Sequence, residues 1–228
     1  MDTFTTAAVA SKIDHAVLKP AATQADLEKN AQMCIRRGVG NMCVRPCDVR
    51  RASELLRGSG TSVSMVVGFP HGSNLAEVKA FETAKGIEDG AVEFDMVMNI
   101  GRFLSGDFAW VRRDMAAVVE AAKAGRALVK VILETGYLTL EQVAEACRIA
   151  RDAGADFVKT STGFGDGQAT TEVIDVMLRT VGDTMGVKAS GGVRTWEAAI
   201  GFLKQGCTRL GIGSTEAVLD GGKAEGNY

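Results

Sequence analysis

Histidine is nearly absent from this sequence: among 228 residues only His15 and His71 occur. They lie far apart and without metal-ligand spacing, which argues against a zinc site. Cysteine is also sparse. The five thiols, Cys34, Cys43, Cys47, Cys147 and Cys207, are odd in number and none has CxxC spacing, so reduced thiols in a cytoplasmic protein are expected rather than a disulfide framework. Basic charge is not in excess. Lys and Arg number 26 against 28 Asp and Glu, a formal net charge of -2. A nucleic-acid binder would carry a basic face, whereas a small anionic substrate needs only a local cationic pocket. No apolar run approaches the roughly 20 residues of a membrane span. Residues 1–11 lack the basic-then-apolar order of a secretory signal.

What is present is alternation. Hydrophobic residues make up 46% of the chain, enough for a sizeable core. Short β-rich runs near 13–17, 41–45, 62–67, 92–98, 127–133, 156–160, 186–189 and 208–212 are mostly apolar, as strands covered on both faces should be. Between them lie stretches with helical periodicity, among them Leu27, Ala31, Cys34 and Ile35; Phe108, Val111, Met115, Val118 and Ala122; Leu140, Val143, Cys147 and Ala150; and Val173, Val176, Met177 and Thr180. Thr139 with Gln142 has capping-box spacing, and Asn74 with Glu77 forms a similar pair. Gly38, Gly90, Gly154 and Gly206 each fall between a helix and the next strand, where a left-handed residue ends the helix. Eight βα units without a linker predict one (β/α)8 barrel over residues 1–220. A doubly wound open sheet is the competing architecture, but the GxGxxG turn usual after its first strand is missing. The glycine-rich, polar stretch 221–228 is expected to be a mobile tail, although its last residue, Tyr228, has the reach to fold over the barrel mouth and present a phenol.

In such a barrel, chemistry sits at the C-terminal ends of the strands. Lys159 and Lys188 occupy like positions in consecutive strand candidates, each inside an apolar run. Strands lie about 4.8 Å apart, so two inward ammonium groups would be neighbours. Burial and a like charge both disfavour protonated lysine, and a neutral lysine attacks carbonyl carbon. Asp95, in Phe94-Asp95-Met96-Val97, is a buried-carboxylate candidate that would need a partner; pairing with the lysines and a plain structural ion pair are both open. Asp14 is a second inward carboxylate candidate. Lys130 reads as a supporting charge, and Cys43 as either a small buried hydrophobe or a pocket thiol. Gly191-Gly192 and Gly213-Ser214 follow strands and suit a phosphate held by backbone N–H groups, with Gly163 to Gly167, just after the substrate-binding candidate Thr162, as a flexible lip of the same site. Tight turns alone would also explain the glycines.

Ile13-Asp14-His15, Val67-Gly68-Phe69-Pro70, Phe94-Asp95-Met96-Val97, Val158-Lys159-Thr160-Ser161-Thr162-Gly163-Phe164 and Val187-Lys188-Ala189-Ser190-Gly191-Gly192 resemble, in order, the signature segments of the deoxyribose-phosphate aldolase family. The resemblance implies reversible cleavage of 2-deoxy-D-ribose 5-phosphate to acetaldehyde and D-glyceraldehyde 3-phosphate through a Schiff base, with no cofactor or metal. It implies Lys159 as the covalent lysine, Lys188 as the lysine that perturbs it, and Asp95 as the proton-relay acid. Asp14 and Cys43 fall at pocket positions, and Gly163, Gly191, Gly192, Gly213 and Ser214 at the phosphate end. It also implies a homodimer. Ala16 departs from the hydroxyl residue usual after the Asp-His pair, and Arg45 and His71 stand where uncharged residues are expected. A related Schiff-base aldolase acting on another phosphosugar, and a phosphosugar-binding protein without catalysis, are the alternatives.

Overall fold

The computed structural model describes residues 4–222. Tyr228 and the rest of the stretch from 223 onward lie outside the described residues. Eight parallel strands close into a barrel in sequence order: β1 (Ile13–Val17), β2 (Asn41–Val44), β3 (Ser62–Val67), β4 (Glu93–Val97), β5 (Leu128–Ile132), β6 (Phe157–Lys159), β7 (Gly186–Ser190) and β8 (Arg209–Ile212). Closure comes from β1 pairing with β8, with Asp14 opposite Gly211, and it excludes the open sheet.

Strand alternation sorts the side chains into two unlike populations. Met42 and Val44, Val63 and Met65, Phe94 and Met96, Val129 and Val131, Val158, Val187 and Leu210 belong to the apolar core that the helices cover. Their sequence neighbours face the pore. Asp14, Ser64, Asp95, Lys130, Lys159 and Lys188 are all buried there. Pores of such barrels are usually filled with branched aliphatic side chains, whereas this one is filled largely by charge. Gly211 has a steric reason: a Cβ there would stand 2.5 Å from Ser190 Oγ and 3.3 Å from Lys188 Cε.

The surrounding helices are α1 (Thr6–Ala10), α2 (Gln24–Arg37), α3 (Val49–Leu56), α4 (Ala76–Asp89), α5 (Ile100–Leu104), α6 (Phe108–Ala124), α7 (Leu140–Asp152), α8 (Thr171–Val181), α9 (Trp196–Gln205) and α10 (Thr215–Leu219). Thr139 and Gln142 form the expected capping box on α7. Gly38, Gly90, Gly154 and Gly206 all have positive φ. Three expectations are corrected. Asn74 does not cap α4, which starts one residue later with Leu75 at the N-cap and no side-chain cap bond. Ile35 and Phe108, assigned to core faces, are 38% and 40% exposed. The buried stripe of α8 is Ile174, Met177 and Val181, rotated from the expected one because apolar residues flank it on both sides.

Candidate active site

From Glu93 and Arg209, the first residues of β4 and β8, to Lys159, the last of β6, seven charged side chains converge in the pore. Register places Lys159 beside Lys188 and Asp95 beside Lys130. Asp95 is the hub. Its Oδ2 accepts from Lys159 Nζ at 2.8 Å and from Lys188 Nζ at 2.7 Å, while its Oδ1 accepts from Lys130 Nζ at 2.9 Å. Asp14 Oδ2 also accepts from Lys188, and lies 3.3 Å from Lys130 Nζ. Lys130 further contacts Glu93 Oε2 at 2.6 Å. Arg209 joins Asp14 at 2.6 Å to Glu93 at 2.7 Å. Four cations (Lys130, Lys159, Lys188 and Arg209) thus face three carboxylates (Asp14, Glu93 and Asp95). One positive charge is in surplus when every amine is protonated.

The electrostatics follow from this crowding. Burial alone would raise the Asp95 carboxyl, but Lys130, Lys159 and Lys188 overcome it and hold Asp95 well below the usual range. Burial likewise opposes Asp14, whose carboxyl is nonetheless lowered to about 2 by Lys130 and Lys188. Lys130 is held protonated: its burial is outweighed by Asp14, Asp95 and Glu93. Burial, with Asp95 adding to it, pushes the Cys43 thiol up. Its Sγ is 3.9 Å from Asp95 Oδ2, a weak donor contact. Cys43 is therefore both buried and in the pore. It packs with Leu18, Val66, Ala16 and Phe69, so Ala16 serves an apolar contact at the site.

The loops that carry the expected phosphate residues follow β6, β7 and β8, three adjacent strands. Gly213 and Ser214 line a cleft of about 300 Å³ with Lys19 and Asn30, and the Ser214 side chain does not cap α10. Thr162 lines a different cleft, of about 390 Å³, with Pro70, His71, Glu134, Tyr137 and Phe164. Gly163, Gly191 and Gly192 have φ of 84°, 85° and 80°. A Cβ on Gly191 would lie 3.1 Å from Gly167 O, and one on Gly192 would lie 2.6 Å from Gln168 Oε1, so these glycines also let the loops after β6 and β7 stack. Arg45 is a strut: it pairs with Asp48 at 2.7 Å and donates to Lys19 O, Pro20 O and Ala22 O, fixing the loop after β1. His15 faces outward. Its Nε2 lies 2.7 Å from Asn30 Oδ1 and its Nδ1 lies 2.8 Å from Thr215 Oγ1. A carbonyl oxygen only accepts, so Nε2 carries the proton and Nδ1 accepts from Thr215. Burial lowers this imidazole to about 4.

Sequence reasoning passed over Glu93, Arg209 and Glu134. The first two carried the same signal as Lys159, a charge at an inward position of an apolar strand. Glu134 sits just past its strand, where an acidic residue looks like ordinary loop. Among the described residues there is no group of three or more metal-ligating side chains, and no helix is long and apolar enough to cross a membrane.

A closed eight-stranded barrel whose buried amines meet a carboxylate in the pore has the groups that a barrel enzyme forming an imine with a carbonyl compound needs. The comparisons agree. The model of the DeoC/LacD family aldolases matches residues 8–207. A deoxyribose-phosphate aldolase of Clostridium perfringens is 48% identical over 220 residues, 96% of this chain and 98% of that one. One from Streptococcus gordonii is 50% identical over 216 residues, 95% of this chain and 97% of that one. A tetrameric deoxyribose phosphate aldolase from Aeropyrum pernix superposes with a TM-score of 0.88 at 32% identity, covering 95% of this chain and 91% of that one. The chain belongs to the DeoC/LacD family of aldolases.

Proposed function

We propose that this aldolase cleaves 2-deoxy-D-ribose 5-phosphate reversibly to acetaldehyde and D-glyceraldehyde 3-phosphate through an imine on Lys159. The observation that carries the reading is the sharing of one oxygen, Asp95 Oδ2, by Lys159 and Lys188 in a buried pore. Two amines and a carboxylate are thereby held within reach of one reacting carbon, as nucleophilic attack with proton transfer between neighbouring groups requires. Lys159 stands at the last residue of β6, nearest the mouth, where an aldehyde arrives. Lys188 is pinned by both Asp14 and Asp95 and keeps its place.

The neutral Lys159 Nζ attacks C1 of the open-chain sugar, and loss of water leaves an iminium. This cation accepts the electron pair released as the C2–C3 bond breaks. The C3 hydroxyl gives its proton to the Asp95–Lys188 pair through water, and glyceraldehyde phosphate departs. The enamine takes a proton at C2, and hydrolysis frees acetaldehyde and the amine. Asp95 is held ionised by three lysines, so it passes the proton on rather than keeping it. No metal or organic cofactor enters this sequence. Phosphate bound by backbone N–H groups of Gly163, Gly191, Gly192, Gly213 and Ser214, beside Thr162, would orient the sugar from a distance. Asp14 and Cys43 line the pore around the reacting carbons.

Borohydride reduction in the presence of acetaldehyde should leave a two-carbon adduct on Lys159, found by peptide mass analysis. Lys159→Ala should lose both the adduct and turnover. An adduct elsewhere, or activity that survives the substitution, refutes the assignment. We place the protein in the cytoplasm as a homodimer. The four buried thiols support the first, and the exposed Leu75, Val78 and Phe81 along α4 support the second.

A further inference from the structure

Glu134 is a non-glycine residue with φ of 52°, buried at the C-terminal end of β5. A left-handed conformation is sparsely populated for such a residue and persists where the surroundings hold it. Here they do. The carboxylate accepts from Thr162 N at 3.2 and 3.3 Å and from the Thr162 hydroxyl. Thr162 Oγ1 in turn accepts from Phe164 N at 3.0 Å. Next to Glu134, a Cβ on Gly136 would lie 2.5 Å from Gly167 Cα, so the loops after β5 and β6 touch backbone to backbone. The far end of the β6 loop reaches β7 through Ala169 N, which donates to Gly191 O at 2.9 Å. Burial raises the Glu134 carboxyl, against Thr162 and the nearby Lys159.

We propose that Glu134 is a positioning residue that clamps the loop following Lys159 against the Gly191-Gly192 turn and thereby sets the preference for a phosphorylated sugar over its unphosphorylated counterpart. The inference rests on the phosphate end assigned above. Without the carboxylate, the buried Thr162 N–H and O–H lose their acceptor, and the 161–168 loop is held between β5 and β7 only by its backbone contacts with Gly136 and Gly191. A phosphate gripped by that seat is then held worse, while chemistry at C1 is still open to a sugar that lacks one.

The test is kcat/KM of the full chain for 2-deoxyribose 5-phosphate and for 2-deoxyribose, in wild type, Glu134→Ala and Glu134→Gln. Glu134→Ala should lower the ratio of the two by about tenfold or more, with the acetaldehyde adduct on Lys159 still trapped by borohydride. Glu134→Gln keeps an acceptor oxygen for Thr162 N and should recover part of the ratio. Thr162→Val removes the hydroxyl bond of the clamp, keeps the N–H bond and changes the shape little, and should lower the ratio if Glu134→Ala does not fold. Equal losses on both sugars, or an unchanged ratio, mark a purely structural role and overturn the inference. A wild type inactive on both sugars brings down the preceding reading and this one with it.

Discussion

Replacing Lys130 by Met tests how the charged pore is held. Lys130 is fully buried and touches Glu93 at 2.6 Å, Asp95 at 2.9 Å and Asp14 at 3.3 Å. Methionine fills a similar volume and removes the charge. Breaking a buried pair from one side typically destabilises by about 3–5 kcal/mol, because the partner stays buried without its counter-ion. Here Asp95 keeps Lys159 and Lys188, and Glu93 keeps Arg209, so the lower end of that range is expected at pH 7. The pH dependence makes the test sharper. Lys130 is the first of the charges that depress both Asp14 and Asp95. A carboxyl depressed in the fold contributes stability that is fully present above its unfolded pKa, near 4, and is lost as pH falls through its folded value, which for Asp14 is about 2. The variant lacks much of that contribution, so its deficit is largest at neutral pH and narrows as pH falls from about 4 toward about 2. Urea unfolding followed by circular dichroism at pH 7, 5, 4 and 3 reads this directly. A deficit under about 1 kcal/mol at pH 7, or one that is the same at every pH, refutes the account.

Two further perturbations bear on the outer shell of the site. His15 is lowered to about 4 by burial, so the unfolded chain binds its proton first; wild-type stability should fall as pH drops from about 6.5 through about 4. A His15→Gln variant, titrated by urea unfolding, should lack that component, and an identical slope would show that His15 does not titrate as described. Gly192→Ala meets both a φ of 80° and Gln168 Oε1 at 2.6 Å from the new Cβ. It should raise KM for 2-deoxyribose 5-phosphate with less effect on borohydride trapping of acetaldehyde, and an unaltered KM would separate this turn from substrate binding.

The barrel was legible because parity works in both directions. Eight short apolar runs with glycine-terminated helices between them leave few other architectures, and a charge inside such a run must face the pore, since the opposite face meets helices. That logic places Lys159, Lys188, Asp95 and Asp14, and applied evenly it would also have found Glu93 and Arg209. What stayed hidden depends on three-dimensional rotation and loop path. The stripe of α8 shifts by one residue because Val173 and Val176 are apolar too and sit beside Ile174, Met177 and Val181. The start of α4 at Ala76 moves Asn74 out of capping position. Glu134 has no pattern of its own; its importance lies in a contact with Thr162, 28 positions away.

Arg209, bound to Asp14 and Glu93 below the lysines, works as a stopper in the floor of the pore. Ser64 and Asn41, bonded to each other at 2.6 Å, add a polar pair to the lining of the same pore. A sugar entering at the strand ends would meet Lys159, the last residue of β6, before the charges beneath it, so a bound substrate stands between those charges and bulk solvent until one fragment leaves.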